Sequence, residues 1–326
     1  MSQCFDCGPV IREINKRSSA LVLGTAFYTL AKKDDWFAIM DDFHVHGGVT
    51  LDSGRIYAAG ESENVIGEWM KSRNTRAQMI VITKCGHGKD GTIPENDMES
   101  VFADELARSL ECLQTDYIDL YMLHRDNPAI SVKRIMDCLN GYVVSGRVRA
   151  LGASNWTYSR IEEANNYARA RGLAGFAVVS NNLSLAVPTG PFYPGLITTD
   201  KDGEQWHVRT GIPLIPWSSQ ARGFFTGAYS AALRERAGNL ENDFMKRMIE
   251  IYCTDDNFER LKRATELGRK KGGYSAVEVA LSWVLHKPFP IAPIVGPHSR
   301  EELRSCIKAL SLQLTEDECH WLNLQD

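Results

Sequence analysis

Short apolar runs bounded by polar turns alternate along the chain with longer stretches of helical period. Runs at 20–25, 50–52, 79–84, 118–124, 150–154, 177–181, 213–218 and 291–295 lack strict alternation. Each reads as a strand of a parallel sheet, where both faces are covered and the apolar run becomes continuous. Between them, 98–113 carries Val101, Leu106, Leu110 and Leu113 on one side, and 132–145 and 158–171 are similarly amphipathic; these predict crossover helices. A doubly wound sheet alternates in the same way, but eight strand–helix units favour closure into a (β/α)8 TIM barrel, one domain over 1–326. Polar residues gather where the runs finish: Asp52, Lys84, His124, Ser154 with Asn155, Asn181, and Ser218 with Ser219. In barrels that end carries the active site. Two segments break the regular spacing, 186–212, rich in Pro and Gly, and 228–256, which predicts one or two extra helices after the seventh strand. Long ordered loops of this kind usually serve function.

Composition narrows the class. A chain of 326 residues, 44% hydrophobic and 24% charged, can bury one large core. Its formal charge of -4 leaves no basic excess to hold a phosphate backbone, so nucleic acid is not an expected partner. The opening Met1-Ser2-Gln3-Cys4-Phe5-Asp6 has no basic segment followed by an apolar run, and no stretch reaches the roughly 18 apolar residues of a membrane span. The expectation is a soluble cytoplasmic protein, a monomer or small homo-oligomer, without a membrane partner. Cysteines at 4, 7, 85, 112, 138, 253, 306 and 319 are scattered, several in apolar stretches, as free thiols in a reducing compartment are. Cys4 and Cys7 have C-x-x-C spacing but no second pair that would complete a zinc ribbon.

Two local motifs need their context. Gly86-His87-Gly88-Lys89-Asp90-Gly91 fits G-x-G-x-x-G after a strand. A dinucleotide fingerprint requires a helix to open at once, yet Thr92-Ile93-Pro94-Glu95 intervenes, and Glu111 lies inside a predicted helix rather than at a strand end. The segment reads instead as a mobile loop over the substrate side. His44-Val45-His46 resembles a paired-histidine metal motif but ends a helix before Gly47-Gly48, so it reads as a solvated helix terminus, and no metal site is expected.

Several segments, in order, carry a resemblance that covers nearly the whole chain. Gly48-Val49-Thr50-Leu51-Asp52-Ser53-Gly54-Arg55-Ile56-Tyr57 places an aspartate five positions before a tyrosine, followed by Glu61-Ser62-Glu63 and Ile66-Gly67. Ile82-Thr83-Lys84 ends the third run, and Asp116-Tyr117-Ile118-Asp119-Leu120-Tyr121-Met122-Leu123-His124 forms the fourth. Gly152-Ala153-Ser154-Asn155-Trp156 and Ile215-Pro216-Trp217-Ser218-Ser219-Gln220-Ala221-Arg222-Gly223 follow. The series resembles the aldo-keto reductase superfamily. The resemblance implies a nicotinamide-dependent oxidoreductase acting on a carbonyl or alcohol, with Asp52, Tyr57, Lys84 and His124 as its catalytic residues.

These residue types suit that chemistry. Carbonyl reduction develops negative charge on oxygen as hydride arrives, so a proton donor must sit there, and Tyr57 is the expected general acid. A free phenol has a pKa of about 10, which a neighbouring ammonium lowers. Lys84 would supply that ammonium, Asp52 would hold it by a charge-assisted hydrogen bond, and His124 would donate to the substrate oxygen. Taken singly, each residue has an ordinary reading as a cap, a strand end, a loop aromatic or a core histidine. Together, in order and at strand ends, they point to catalysis.

The resemblance also implies a cofactor grip, NADP(H) or NAD(H). Gly24 and Thr25, at the end of the first strand, and Asp52 would belong to it. Ser154 and Asn155 would hydrogen-bond the nicotinamide carboxamide, and Trp217 would stack on the ring. A glutamine common in relatives is missing after the sixth strand, where Ser180 or Asn181 stands instead. Backbone N–H groups of Ser218, Ser219, Gln220, Ala221, Arg222 and Gly223 would cradle the pyrophosphate. The family's Gly-x-Arg, which meets the 2′-phosphate of NADP, reads Gly296-Pro297-His298-Ser299 here. Glu302 would repel a phosphate, Cys306 completes this adenosine end, and Arg300 and Arg304 are the available compensating cations. The expectation is a weakened NADPH preference with NAD(H) competitive.

Tyr28, Trp206, Phe192 and Tyr193 are the candidate substrate walls, beside Tyr57 and His124. The chain ends at Leu324-Gln325-Asp326 directly after a predicted last helix, which suggests an open, polar-tolerant site suited to sugars, polyols or small aldehydes. Two other classes fit the same fold. One is a nicotinamide-binding regulatory protein without turnover; the other is a non-redox enzyme using a metal or a tightly held nicotinamide transiently. The intact catalytic quartet argues against the first; metal content and retained nicotinamide would discriminate the second.

Overall fold

In the computed structural model, which describes residues 8–14, 16–88, 92–236, 238 and 240–325, seven strands form one parallel sheet. Cys4, Cys7 and the Lys89-Asp90-Gly91 part of the glycine loop lie outside the described residues. A short antiparallel hairpin, β1 (Val10–Ile11) and β2 (Lys16–Arg17), precedes the sheet. The sheet strands are β3 (Val22–Gly24), β4 (Thr50–Asp52), β5 (Ile80–Cys85), β6 (Ile118–Leu123), β7 (Val148–Ser154), β8 (Phe176–Ser180) and β9 (Ile294–Val295). Their order is β8-β7-β6-β5-β4-β3-β9. The crossovers are α1 (Lys33–Val45), α2 (Glu61–Arg73), α3 (Met98–Cys112), α4 (Val132–Val144) and α5 (Tyr158–Arg171), after which come α6 (Lys201–Thr210), α7 (Ala231–Glu235), α8 (Asp243–Tyr252), α9 (Asp255–Lys270), α10 (Ala276–Leu285), α11 (Arg300–Ala309) and α12 (Glu316–Leu322).

The predicted seventh strand, 213–218, is present only as bridges. Leu214 pairs with Val179 on one side and Ile291 on the other. Ile215 N–H donates to the Val179 carbonyl at 2.8 Å, and Ile294 N–H donates to Pro216 at 3.0 Å. This segment therefore sits between β8 and the approach to β9 and closes the barrel. It is not a full strand because Pro213 and Pro216 each remove a ladder donor.

Two apolar layers result. Val22, Ile80, Ile82, Leu120, Met122, Val178 and Ile215 fill the barrel interior, together with Ile11 of the hairpin. Between sheet and helices lie Leu23, Leu51, Val81, Tyr121 and Leu151 against Phe43, Trp69, Phe102 and Leu139. A period of two thus persists inside apolar runs: Ile80 and Ile82 face in and Val81 faces out. Continuing it carries Lys84 inward at the end of β5 and, from Leu120 and Met122, His124 inward just after β6. Asp119 on β6 is fully buried and tied to Lys16 at 3.2 Å and Arg76 at 2.8 Å, which anchors the hairpin against the sheet.

The long segment 186–212 contains α6, and 228–256 contains two helices, α7 and α8. His44 and His46 close α1 as a helix terminus, with His46 Nδ1 2.7 Å from the Asp42 carbonyl. No helix among the described residues is long and apolar enough to cross a membrane.

Candidate active site

The register of β4 and β5, Asp52 opposite Ile82, brings Asp52 and Lys84 together at one end of the barrel. Lys84 Nζ lies 2.5 Å from Asp52 Oδ1, 2.8 Å from the Ser53 carbonyl and 3.2 Å from Tyr57 Oη. All three of its donors are therefore directed within the site. Asp52 and Lys84 are buried, with side chains 4% and 2% exposed. His124 N–H donates to the Cys85 carbonyl at 2.7 Å, which sets its ring 5.5 Å from that of Tyr57, edge to face.

The loop carrying Tyr57 is unusual. Ala58, Ala59 and Gly60 have φ of 47°, 54° and 95°, three left-handed residues in succession before α2. Left-handed alanine costs about 1 kcal/mol or more per residue, so the surroundings must impose the turn. They do so through Arg55, paired with the fully buried Glu63, whose other oxygen accepts from Thr83 at 2.6 Å. Ser62 bonds Thr25 at 2.7 Å and Ser53 at 2.9 Å, while Thr25 Oγ1 donates to the Asp52 carbonyl. Gly24 permits close packing of β9, since a Cβ there would lie 2.7 Å from Ile294 Cγ2.

Electrostatics correct one expectation. Burial raises the Tyr57 phenol above its ordinary value and outweighs the lowering by Lys84. Tyr57 is thus held protonated rather than pulled toward ionisation. Burial works against the Lys84 ammonium, but Asp52 and Tyr57 outweigh it and leave Lys84 above its ordinary value. Burial, aided by Lys84, His87 and Arg125, holds His124 well below the usual imidazole range, so it is neutral at pH 7.

The nicotinamide end presents unpartnered groups. Among the described residues, Ser180 Oγ, Trp217 Nε1 and His124 Nδ1 are buried without a hydrogen-bond partner. The neighbouring amides are already engaged. Asn155 donates to the His124 carbonyl at 3.2 Å and to Ser154 Oγ at 3.0 Å, and accepts from Ile197 N–H. Asn181 accepts from Asn155 N–H at 2.8 Å and donates to the Trp156 carbonyl at 3.0 Å. Of the two substitutes for the missing glutamine, Ser180 is the one whose side chain has no hydrogen-bond partner. Ser154 Oγ donates to the Ser180 carbonyl and accepts from Asn155, which leaves one lone pair. A group with a carboxamide and a flat ring fits this set of orphaned donors beside Trp217.

Ser218 to Gly223 follow as a turn with positive φ at Ser218, Ala221, Arg222 and Gly223. Ser219 Oγ donates to the Ile294 carbonyl, and Gln220 meets Cys306, whose thiol burial pushes up to about 12. Beyond Gly296, Ser299 caps α11 by accepting Glu302 N–H, and Glu302 accepts His298 N–H at 2.7 Å. The two compensating cations are both occupied: Arg300 and Arg304 lie 3.1 Å and 3.4 Å from Asp42.

Two candidate substrate walls are engaged by other aromatic rings. Tyr28 is buried and stacked on Trp36 with centroids 4.5 Å apart, its Oη without a hydrogen-bond partner. Trp206 lies on α6, packed on Tyr158, with its indole N–H donating to Glu162 at 2.8 Å. In 186–212 the catalytic side is faced by Phe192 and Tyr193, against Arg222. Sequence reasoning missed the side chains of Arg125 and Arg222. Arg125 directly follows His124 at a strand end, and that position was the available signal. Among the described residues no group of His, Cys, Asp and Glu is arranged to hold a metal ion.

Comparison with known proteins accords with this geometry. The model of the aldo/keto reductase family matches residues 20–323. Norsolorinic acid reductase B of Dothistroma septosporum is 32% identical over 90% of this chain and 72% of its own. A putative aryl-alcohol dehydrogenase of Saccharomyces cerevisiae is 28% identical over 94% and 82%. Among solved structures, an aldo/keto reductase from Klebsiella pneumoniae in complex with NADP and acetate superposes with a TM-score of 0.69 at 19% identity, over 95% of this chain and 92% of its own, a likeness of fold.

Proposed function

This chain belongs to the aldo/keto reductase family and is an NAD(P)H-dependent oxidoreductase; we propose that it reduces an aryl aldehyde or ketone, with Tyr57 as the proton donor. The observation that carries this reading is Lys84 Nζ within hydrogen-bond distance of both Asp52 and Tyr57 Oη. A nicotinamide, when bound, would supply the hydride chemistry. Tyr57 and His124 hold the carbonyl oxygen between them, His124 as a neutral imidazole donor. As charge grows on that oxygen, Tyr57 releases its proton there, and the Lys84 ammonium stabilises the phenolate left behind. Asp52 keeps the ammonium in place. Ser154, Ser180 and Trp217 would hold and orient the carboxamide and ring.

An aryl substrate is supported by the aromatic frame of Phe192, Tyr193 and Trp217 and by the name of the aryl-alcohol dehydrogenase relative. It replaces the lean toward sugars and polyols. NAD(H) competes with NADP(H) as the cofactor because Glu302 borders the turn where a 2′-phosphate would bind and Asp42 pairs with both nearby arginines. The test is steady-state kinetics of wild type and Tyr57→Phe with aryl aldehydes, sugars and polyols, using both nicotinamides. Loss of a general acid lowers turnover by about 100-fold or more, and equal turnover of the two proteins overturns the assignment of Tyr57. An NADPH preference above about 100-fold, some 2.7 kcal/mol, overturns the cofactor assignment.

A further inference from the structure

We propose that the mouth of the barrel contains an anion subsite, formed by Arg222 with Arg125, that selects aryl carbonyl substrates bearing a carboxylate or an ionised phenol. The inference rests on the carbonyl-reduction reading above and extends it to the substrate's chemical class.

Most other arginines of little exposure have carboxylates: Arg55 pairs with Glu63, Arg76 with Asp119 and Arg160 with Asp126, while Arg260, which has none, donates to Asn257 Oδ1 at 3.2 Å away from the barrel mouth. Arg222 and Arg125 make no carboxylate pair among the described residues, and the Nε of each is buried without an acceptor. A guanidinium removed from water without a counter-charge is unfavourable, so a site that keeps two of them is organised for an anion that arrives from outside. Burial holds both below their ordinary values, and Arg125 directly follows His124, whose ring meets that of Tyr57 edge to face at 5.5 Å.

The surroundings give the anion a flat carrier. Arg222 Cζ lies 4.3 Å from the ring centre of Phe192, 5.9 Å from Tyr193 and 5.8 Å from Trp217. Arg125 Nη1 donates to the Pro194 carbonyl at 3.3 Å, so the two arginines meet opposite ends of the same short loop. That loop is held in place from outside. Arg247 donates through Nε to Phe192 at 2.9 Å and through Nη2 to Pro191 at 3.0 Å. The cation–π faces support the charge of Arg222 while no anion is bound, and leave its N–H groups available to one. The position beside Tyr57 and the 191–195 loop favours a group on the substrate over the pyrophosphate of the nicotinamide, the other anion able to enter.

The test uses the full-length protein with 4-carboxybenzaldehyde and its uncharged methyl ester, in wild type, Arg222→Met, Arg222→Lys and Arg125→Met. Wild type is expected to favour the acid over the ester at least tenfold in kcat/KM. Arg222→Met should collapse that ratio through KM, Arg222→Lys should restore part of it, and Arg125→Met should reduce it less. Nicotinamide affinity is measured separately by fluorescence titration. A wild type indifferent to acid and ester overturns the proposal. So does an Arg222→Met defect that falls equally on both substrates and matches a loss of nicotinamide affinity, which would assign the guanidinium to the pyrophosphate. Binding of unreactive terephthalate, read by tryptophan fluorescence on proteins whose folding is checked by circular dichroism, decides independently of turnover. If neither aldehyde is reduced, the carbonyl-reduction reading fails, while terephthalate binding lost in Arg222→Met still supports the subsite and its absence in wild type overturns it.

Discussion

Replacing Asp52 by Asn removes the counter-charge of an ammonium that has little access to water. Lys84 Nζ then keeps only neutral acceptors, the Ser53 carbonyl, Tyr57 Oη and the new amide oxygen. Breaking a buried pair by removing one partner costs about 3–5 kcal/mol. The loss has a ceiling, because the lysine can shed its proton instead. From a lysine pKa of about 10.4 down to pH 7 that release costs about 4.6 kcal/mol. The expected destabilisation at pH 7 is therefore about 3–4.6 kcal/mol. Its pH dependence is diagnostic. In the wild type Lys84 is raised above its ordinary value, so its contribution is fully present below the unfolded pKa and is lost only as pH rises through the folded one. Between pH 7 and 9 this group leaves wild-type stability flat. In Asp52→Asn burial is opposed only by Tyr57, and the folded pKa is expected to drop below the unfolded one. The unfolded chain then binds more protons, and stability rises with pH by up to about 1.4 kcal/mol per unit. Equilibrium urea unfolding followed by tryptophan fluorescence at pH 7 and 9 reads both quantities. A deficit under about 1 kcal/mol, unchanged between the two pH values, would refute the buried charge pair as the organiser of the site.

Three further outcomes are expected. Because burial raises Tyr57, carbonyl reduction keeps its proton donor through the alkaline range, and a pH profile of kcat/KM with an apparent pKa between 7 and 9 from the acid would contradict this. Glu302→Gln removes a negative charge next to His298 and should shift the NADPH to NADH ratio of kcat/KM toward NADPH by roughly tenfold, about 1.4 kcal/mol; an unchanged ratio places the 2′-phosphate elsewhere. Trp206→Ala should lower stability by about 3–5 kcal/mol, with the KM for aryl aldehydes unchanged, since its ring packs on Tyr158; a large KM change would return it to the substrate wall.

Much of the architecture was legible along the chain. Eight apolar runs and their intervening helical stretches specify a barrel because parallel strands buried on both faces have a distinctive composition. The polar residues closing each run identified the working end. Within those limits the sequence determined Asp52, Lys84 and His124 as candidates, and the family resemblance added Tyr57 and Gly296 to Glu302 as an altered adenosine end. It did not show that Pro213 and Pro216 reduce the seventh strand to bridges, nor that a two-strand hairpin inserts Ile11 into the barrel floor.

Other properties arise only when distant segments meet. Asp42 of α1 pairs with both Arg300 and Arg304, across more than half the chain, so no local reading of the last helices reveals that contact. Trp206 and Tyr28 are aromatic and near the right strands, yet whether a ring faces substrate or a neighbouring helix depends on packing directions that composition leaves open. The sign of the Tyr57 shift depends on how completely the barrel excludes water, a property of the closed fold rather than of the residues flanking it. The chain thus determines which chemical groups are present and at which end of the barrel they stand. Tertiary structure decides which of them are free, because hydrogen bonds and charges are consumed by partners that only folding brings within reach.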